Sequence, residues 1–143
     1  MKKTLLIIIL LTLTACTSTQ KTYLENKYYN EGNFIEIKNI DNLENETYIL
    51  YTYNNYCTFE KPCEDVFKEY MEKYKIDILK IQFDNFKKTS LYKQVKYGPS
   101  IIIVKNNKIL AYLDANKKQD KQKYQDITEF ENWINKYIYT KVD

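Results

Sequence analysis

Histidine and arginine are both absent from this chain. Without an imidazole, the Ser-His-Asp and Cys-His routes to an activated nucleophile are closed. Zinc loses its nitrogen ligand as well, and the thiols alone fall short of a four-ligand site unless carboxylates join them, so no metal is expected. All 22 basic residues are lysine, which lacks the planar fork suited to phosphate. Against 19 acidic residues the formal charge is only +3, which argues for no polyanionic partner and against nucleic acid. The 15 tyrosines accompany many Asn and Ile, a mixture that an AT-rich coding sequence produces without selection for function. They are read as background and not as an aromatic binding surface.

No apolar run reaches the roughly 20 residues that a membrane-spanning helix needs. The longest, Leu5 to Leu13, follows Met1-Lys2-Lys3 and leads into Leu13-Thr14-Ala15-Cys16. A charged start, a short apolar core and small residues make an export signal. Small residues just before a cysteine resemble the lipobox of bacterial lipoproteins, which implies removal of residues 1–15 and a diacylglycerol on Cys16. An ordinary secretory signal with an incidental cysteine is the alternative. On the lipoprotein reading the protein is anchored at the extracytoplasmic face of the cell membrane, with residues 16–32 as a polar tether and 33–143 as the folded part. The 128 residues after the leader suffice for one domain and not for two.

Phe34 to Ile40 alternates apolar and polar side chains and predicts a strand. Asp41-Asn42-Leu43-Glu44 supports only a short helical turn. Tyr48 to Tyr53 is aromatic, β-branched and uncharged, as a central strand buried on both faces would be. From Cys63 to Tyr74, Val66, Phe67, Tyr70, Met71 and Tyr74 fall at helical spacing, with the charged residues opposite. Ile76 to Phe83 reads as a second central strand and Phe86 to Val95 as a short helix. Ser100 to Val104 and Lys108 to Leu113 flank Asn106-Asn107, a hairpin signal because asparagine tolerates positive φ. Lys117 to Gln125 reads as a loop before a last helix, Asp126 to Tyr139.

This order, with cysteines after the second strand and a proline opening the fourth, resembles the thioredoxin-like superfamily over roughly residues 33 to 139. The features that carry the resemblance are Pro62-Cys63 ahead of an amphipathic helix, Lys80-Ile81-Gln82-Phe83-Asp84, Val95-Lys96-Tyr97-Gly98-Pro99-Ser100 and Phe130-Glu131-Asn132-Trp133-Ile134. The implied fold is α/β, a central mixed sheet of about five strands flanked by helices. A trans proline simply starting a strand is one reading of Pro99. The resemblance implies the other, a cis bond whose preceding residue, Gly98, offers its backbone to a substrate chain, with Tyr56 beside the cysteines also in contact. Gly98 replaces the usual larger residue and is expected to widen the substrate groove. Lys80 matches the family's buried lysine, whereas Tyr51 stands where its buried acid is expected. The short lipid-anchored form is also loosely similar to bacteriocin transport accessory proteins.

The chemistry rests on Tyr56-Cys57-Thr58-Phe59-Glu60-Lys61-Pro62-Cys63. The family carries two residues between its cysteines; this chain carries five. A helix N-terminus favours a thiolate, and Pro62 suits a helix start, which points to Cys63. Family order instead makes Cys57 the attacking thiol and Cys63 the resolving one. Two functions follow. The first is a membrane-anchored thiol-disulfide oxidoreductase acting on exported protein thiols or disulfides, with a membrane redox partner and no cofactor. The second is a non-catalytic binding or accessory module in which a Cys57–Cys63 bridge is a staple, worth roughly 2 to 3 kcal/mol for so short a ring.

Overall fold

The sheet is built around two largely apolar strands that are buried almost end to end. The computed structural model describes residues 20–55 and 59–141. Strand β2 (Thr47–Tyr53) is buried from Thr47 through Thr52, and β4 (Ser100–Lys105) from Ser100 through Val104. They pair antiparallel at the centre, with Thr52 opposite Ser100 and Ile49 opposite Ile103. On one side β3 (Ile78–Gln82) runs parallel to β2, and β1 (Phe34–Ile37) parallel to β3. On the other, β5 (Lys108–Asp114) returns antiparallel to β4. The five strands therefore lie in the order β1-β3-β2-β4-β5, a mixed sheet as the sequence led us to expect. The hairpin expectation is met too, since Asn106 and Asn107 take φ of 49° and 57° between paired Lys105 and Lys108.

Helix α1 (Cys63–Tyr74) lays Val66, Phe67, Tyr70 and Met71 on the sheet. Glu64 and Asp65 occupy its first turn, where the helix dipole favours them. Its end turns sharply, with Lys75 in the left-handed region and its N–H bonded to the Met71 carbonyl. Gly32, at φ +83°, lies so close to this turn that a Cβ there would collide with the Met71 carbonyl oxygen. Helix α4 (Ile127–Ile134) packs against α1 through Phe130, which meets the Phe67 and Tyr70 rings at 5.0 and 5.3 Å.

Several sequence expectations need correction. The stretch read as tether belongs to the fold from Thr22 onward. Thr22 exchanges backbone hydrogen bonds with Tyr137 and Tyr139, Leu24 and Tyr28 are buried, and a turn of 3-10 helix spans Asn26–Tyr28. Two large buried side chains anchor a segment whose other residues are mostly exposed. The helix expected over 86–95 is split into α2 (Phe83–Phe86) and a 3-10 turn at Ser90–Lys93. Between them Thr89 is extended, and its hydroxyl caps the Phe86 carbonyl at 2.8 Å, the usual way threonine competes with helix. The expected loop 117–125 contains α3 (Lys118–Lys121) and a 3-10 turn, Gln122–Tyr124. The last helix stops at Ile134, because Ile138 leaves it to bridge Thr22. The turn expected at residues 41–44 is a pair of hydrogen-bonded turns, Leu43 to Ile40 and Glu46 to Leu43.

Candidate functional site

Of the residues singled out in the sequence, Cys16, Tyr56 and Cys57 lie outside the described residues, as does the leader. Cys63, Pro62, Gly98, Pro99 and Lys80 are described. Pro62 is the N-cap of α1 at φ −54°, and its carbonyl accepts from Asp65. Its fixed φ and missing N–H are compatible with that position. Cys63 is thereby the first helical residue, and it is only 2% exposed.

The Gly98–Pro99 peptide bond is cis, and Pro99 is buried just ahead of β4. This segment is fastened to the end of β2. Asn54 Nδ2 donates to the Gly98 carbonyl at 2.9 Å, the Ser100 N–H donates to Thr52 Oγ1 at 3.0 Å, and Ser100 Oγ donates to the Tyr97 carbonyl at 2.6 Å. The strand that leads into the cysteine loop is thus tied directly to the proline turn. The missing side chain of Gly98 does not widen a groove as expected. A Cβ there would lie 2.6 Å from Phe83 Cδ2, so the vacated space is filled by the Phe83 ring. Beyond it, Tyr53, Asn55, Asp84 and Lys87 help to line a polar groove of about 320 Å³.

Lys80 is the next element inward. Its ammonium is 2.7 Å from Glu64 Oε1 and lies over the rings of Tyr53 and Phe34, at 4.3 and 5.4 Å. Its register partner on β2 is Tyr51, which is buried against Phe67 at 5.1 Å. The carboxylate absent at Tyr51 is therefore matched by one from another element: Glu64, the residue after Cys63, partners the lysine. A charged residue in the first turn of a helix is so often a dipole partner that nothing in its sequence context marked this second contact.

The far side of the loop is held by residues that sequence reasoning passed over as an unstructured lysine- and glutamine-rich stretch. The Phe59 ring stacks on Tyr124 at 5.5 Å and 16°. Gln125 accepts from the Lys61 N–H at 3.0 Å and donates to the Lys61 carbonyl at 3.0 Å. Tyr124 is fully buried. Its hydroxyl donates to the Leu113 carbonyl at 2.7 Å and accepts from the Ile101 N–H at 3.3 Å. Burial, with smaller contributions from Cys63, Asp120 and Asp114, pushes this phenol well above its ordinary range against the opposing Ile101 hydrogen bond, so it remains a neutral donor. Among the described residues no cluster of His, Cys, Asp or Glu could hold a metal ion, and no helix is long and apolar enough to cross a membrane.

Comparison with known families matches the thioredoxin family model to residues 26–130. Among solved structures, the chain is similar to a mutant thioredoxin from Halobacterium salinarum NRC-1, with a TM-score of 0.55 and 14% identity over 80% of this chain and 96% of that one. It is also similar to a thioredoxin from Schistosoma mansoni, with a TM-score of 0.51 and 21% identity over 76% and 99%. At such identities the structural likeness speaks for the fold alone. The comparison with curated proteins gave no match.

Proposed function

Because the chain belongs to the thioredoxin family, through residues 26–130, we propose that it is a membrane-anchored, extracytoplasmic thiol-disulfide oxidoreductase acting through Cys57 and Cys63 on exported proteins. The observation that carries this reading is the seating of Cys63. It opens α1 on a thioredoxin sheet, while the strand leading to its loop is tied by Asn54 to the carbonyl just before Pro99. The 2% exposure of Cys63 supports the family order, in which Cys57 attacks and Cys63 resolves. The Cys57 thiolate attacks one sulfur of a substrate disulfide, forming a mixed disulfide and releasing the substrate's other sulfur as a thiolate. The Cys63 thiolate then attacks the Cys57 sulfur, closes the 57–63 bridge and releases the second substrate thiol. Two electrons pass to the substrate, and two protons from solvent complete its thiols. The reverse sequence oxidises a substrate dithiol. A membrane redox partner of either sense restores the starting state.

The signal at residues 1–16 supports the anchoring: Leu13-Thr14-Ala15-Cys16 is the sequence on which a lipid would be placed. The test uses the full chain with Cys63→Ser, produced in a bacterial host that processes lipoproteins. Mixed disulfides between Cys57 and exported proteins, and diacylglycerol mass on Cys16, are expected by mass spectrometry. Failure to trap any mixed disulfide, with the wild-type bridge surviving a strongly reducing dithiol buffer, would reduce the pair to a structural staple.

A further inference from the structure

We infer that Gln125 is a positioning residue for the cysteine loop: by gripping the peptide groups of Lys61 it makes the Cys57–Cys63 bridge easier to close. This rests on the reading above that the pair is a titrating redox couple.

Five residues separate the two cysteines, and a ring of that size must order its backbone before the sulfurs can join. Three of the five are restrained by contacts outside the loop or by their own covalent structure. Phe59 is stacked on Tyr124, which is itself fixed by hydrogen bonds to β4 and β5. Pro62 has a fixed φ. Lys61, between them, is held at both its N–H and its C=O by one side chain. The grip is specific to an amide. Gln125 Oε1 takes the Lys61 N–H, while Nε2 donates both to the Lys61 carbonyl and to the Tyr124 carbonyl at 2.9 Å. Both amide hydrogens are used, and a flipped amide would set its oxygen against two carbonyls. The side chain that holds the loop is itself set just before α4, whose N-cap Asp126 accepts from the Glu129 N–H at 3.0 Å.

The grip and the bridge order the same segment. Each therefore lowers the entropic cost of the other, and the coupling is reciprocal. Closing the bridge removes two electrons and two protons from the two thiols, and glutathione disulfide takes them up to become two molecules of reduced glutathione. Removing the grip leaves that chemistry unchanged but makes the ring harder to close, so the potential becomes less negative.

The experiment is a glutathione redox titration of the full chain, comparing wild type with Gln125→Met and Gln125→Glu. Gln125→Met deletes the whole grip and is expected to weaken the bridge about tenfold, about 30 mV for a two-electron couple. Gln125→Glu keeps an acceptor for the Lys61 N–H but sets its other carboxylate oxygen against the Lys61 and Tyr124 carbonyls, so it is expected to shift the potential in the same direction at least as far, and it serves equally if the methionine variant folds poorly. Gln122 lines a surface groove together with Phe59, Lys61 and Gln125 but its side chain makes no hydrogen bond to Lys61, and Gln122→Ala is expected to leave the potential in place. Equal potentials in wild type and both Gln125 variants, or a shift to more negative values, would overturn the inference. A wild-type potential in the structural range instead overturns the oxidoreductase reading, and the difference between wild type and variants can still be read.

Discussion

Gly98→Ala isolates the contact that explains the least expected glycine in the chain. Nothing in the backbone conformation demands glycine, since only Gly32 of the two glycines has positive φ, so the cost is steric. The added methyl would sit 2.6, 2.9 and 3.1 Å from Cδ2, Cγ and Cε2 of Phe83, where carbon pairs are most favourable at about 3.5 to 4.0 Å. The ring must retreat by roughly 1 Å. It cannot do so freely, because Phe86 and Tyr92 contact it at 6.0 and 6.1 Å between centroids. Overpacking of this kind costs about 1 to 3 kcal/mol, or a fall in Tm of about 3 to 15 °C for a domain of this size. The assay is urea unfolding of wild type, Gly98→Ala, Phe83→Ala and the double variant. In the Phe83→Ala background the added methyl meets no ring, so the Gly98→Ala penalty is expected to fall below about 0.5 kcal/mol, leaving a coupling of at least about 0.5 kcal/mol. Additive single-variant effects, or a neutral Gly98→Ala, would refute the claim that Phe83 occupies this space.

Burial pushes the Glu46 carboxyl up, but hydrogen bonds from Lys27 and Tyr28 and the charge of Lys27 outweigh it and hold the group below its ordinary value. A depressed folded-state pKa contributes stability above the ordinary carboxylate range, and that stability is lost as pH falls through the folded value. Glu46→Gln is therefore expected to flatten the acid side of the Tm-versus-pH curve below about pH 4.5; parallel curves for the two proteins would contradict this. Lys75 caps α1 at φ 51° and ψ 48°, a conformation glycine adopts without strain. Lys75→Gly is expected to stabilise the domain by roughly 0.5 to 1 kcal/mol in urea unfolding, and a loss of stability would count against it.

The parts of the fold that could be read in the sequence are those whose signal is local. The uncharged run Tyr48 to Tyr53, the helical spacing from Val66 to Met71 and the Asn106-Asn107 turn each identify their element within a few residues, and each is found there. What could not be read depends on partners distant in the chain. Leu24 and Tyr28 look incidental in a polar stretch until residues 22–28 are laid beside Glu46, Asp77 and Tyr137. The same holds at the site. Cys63, Pro62 and Pro99 carry signals in their own neighbourhoods, whereas the Glu64–Lys80 pair spans 16 positions and the Gln125–Lys61 grip spans 64. Gln125 sits among lysines and glutamines that solvent would suit equally well, so no pattern marks the amide that grips the loop.

The oxidoreductase reading is tested most directly by the reduction potential of the Cys57–Cys63 couple in the full chain, measured by thiol trapping across graded dithiol buffers. A reversible two-electron transition is expected at a potential above about −300 mV, within the range of labile and catalytic disulfides. A bridge that stays closed to potentials below about −300 mV is a structural staple and would contradict it.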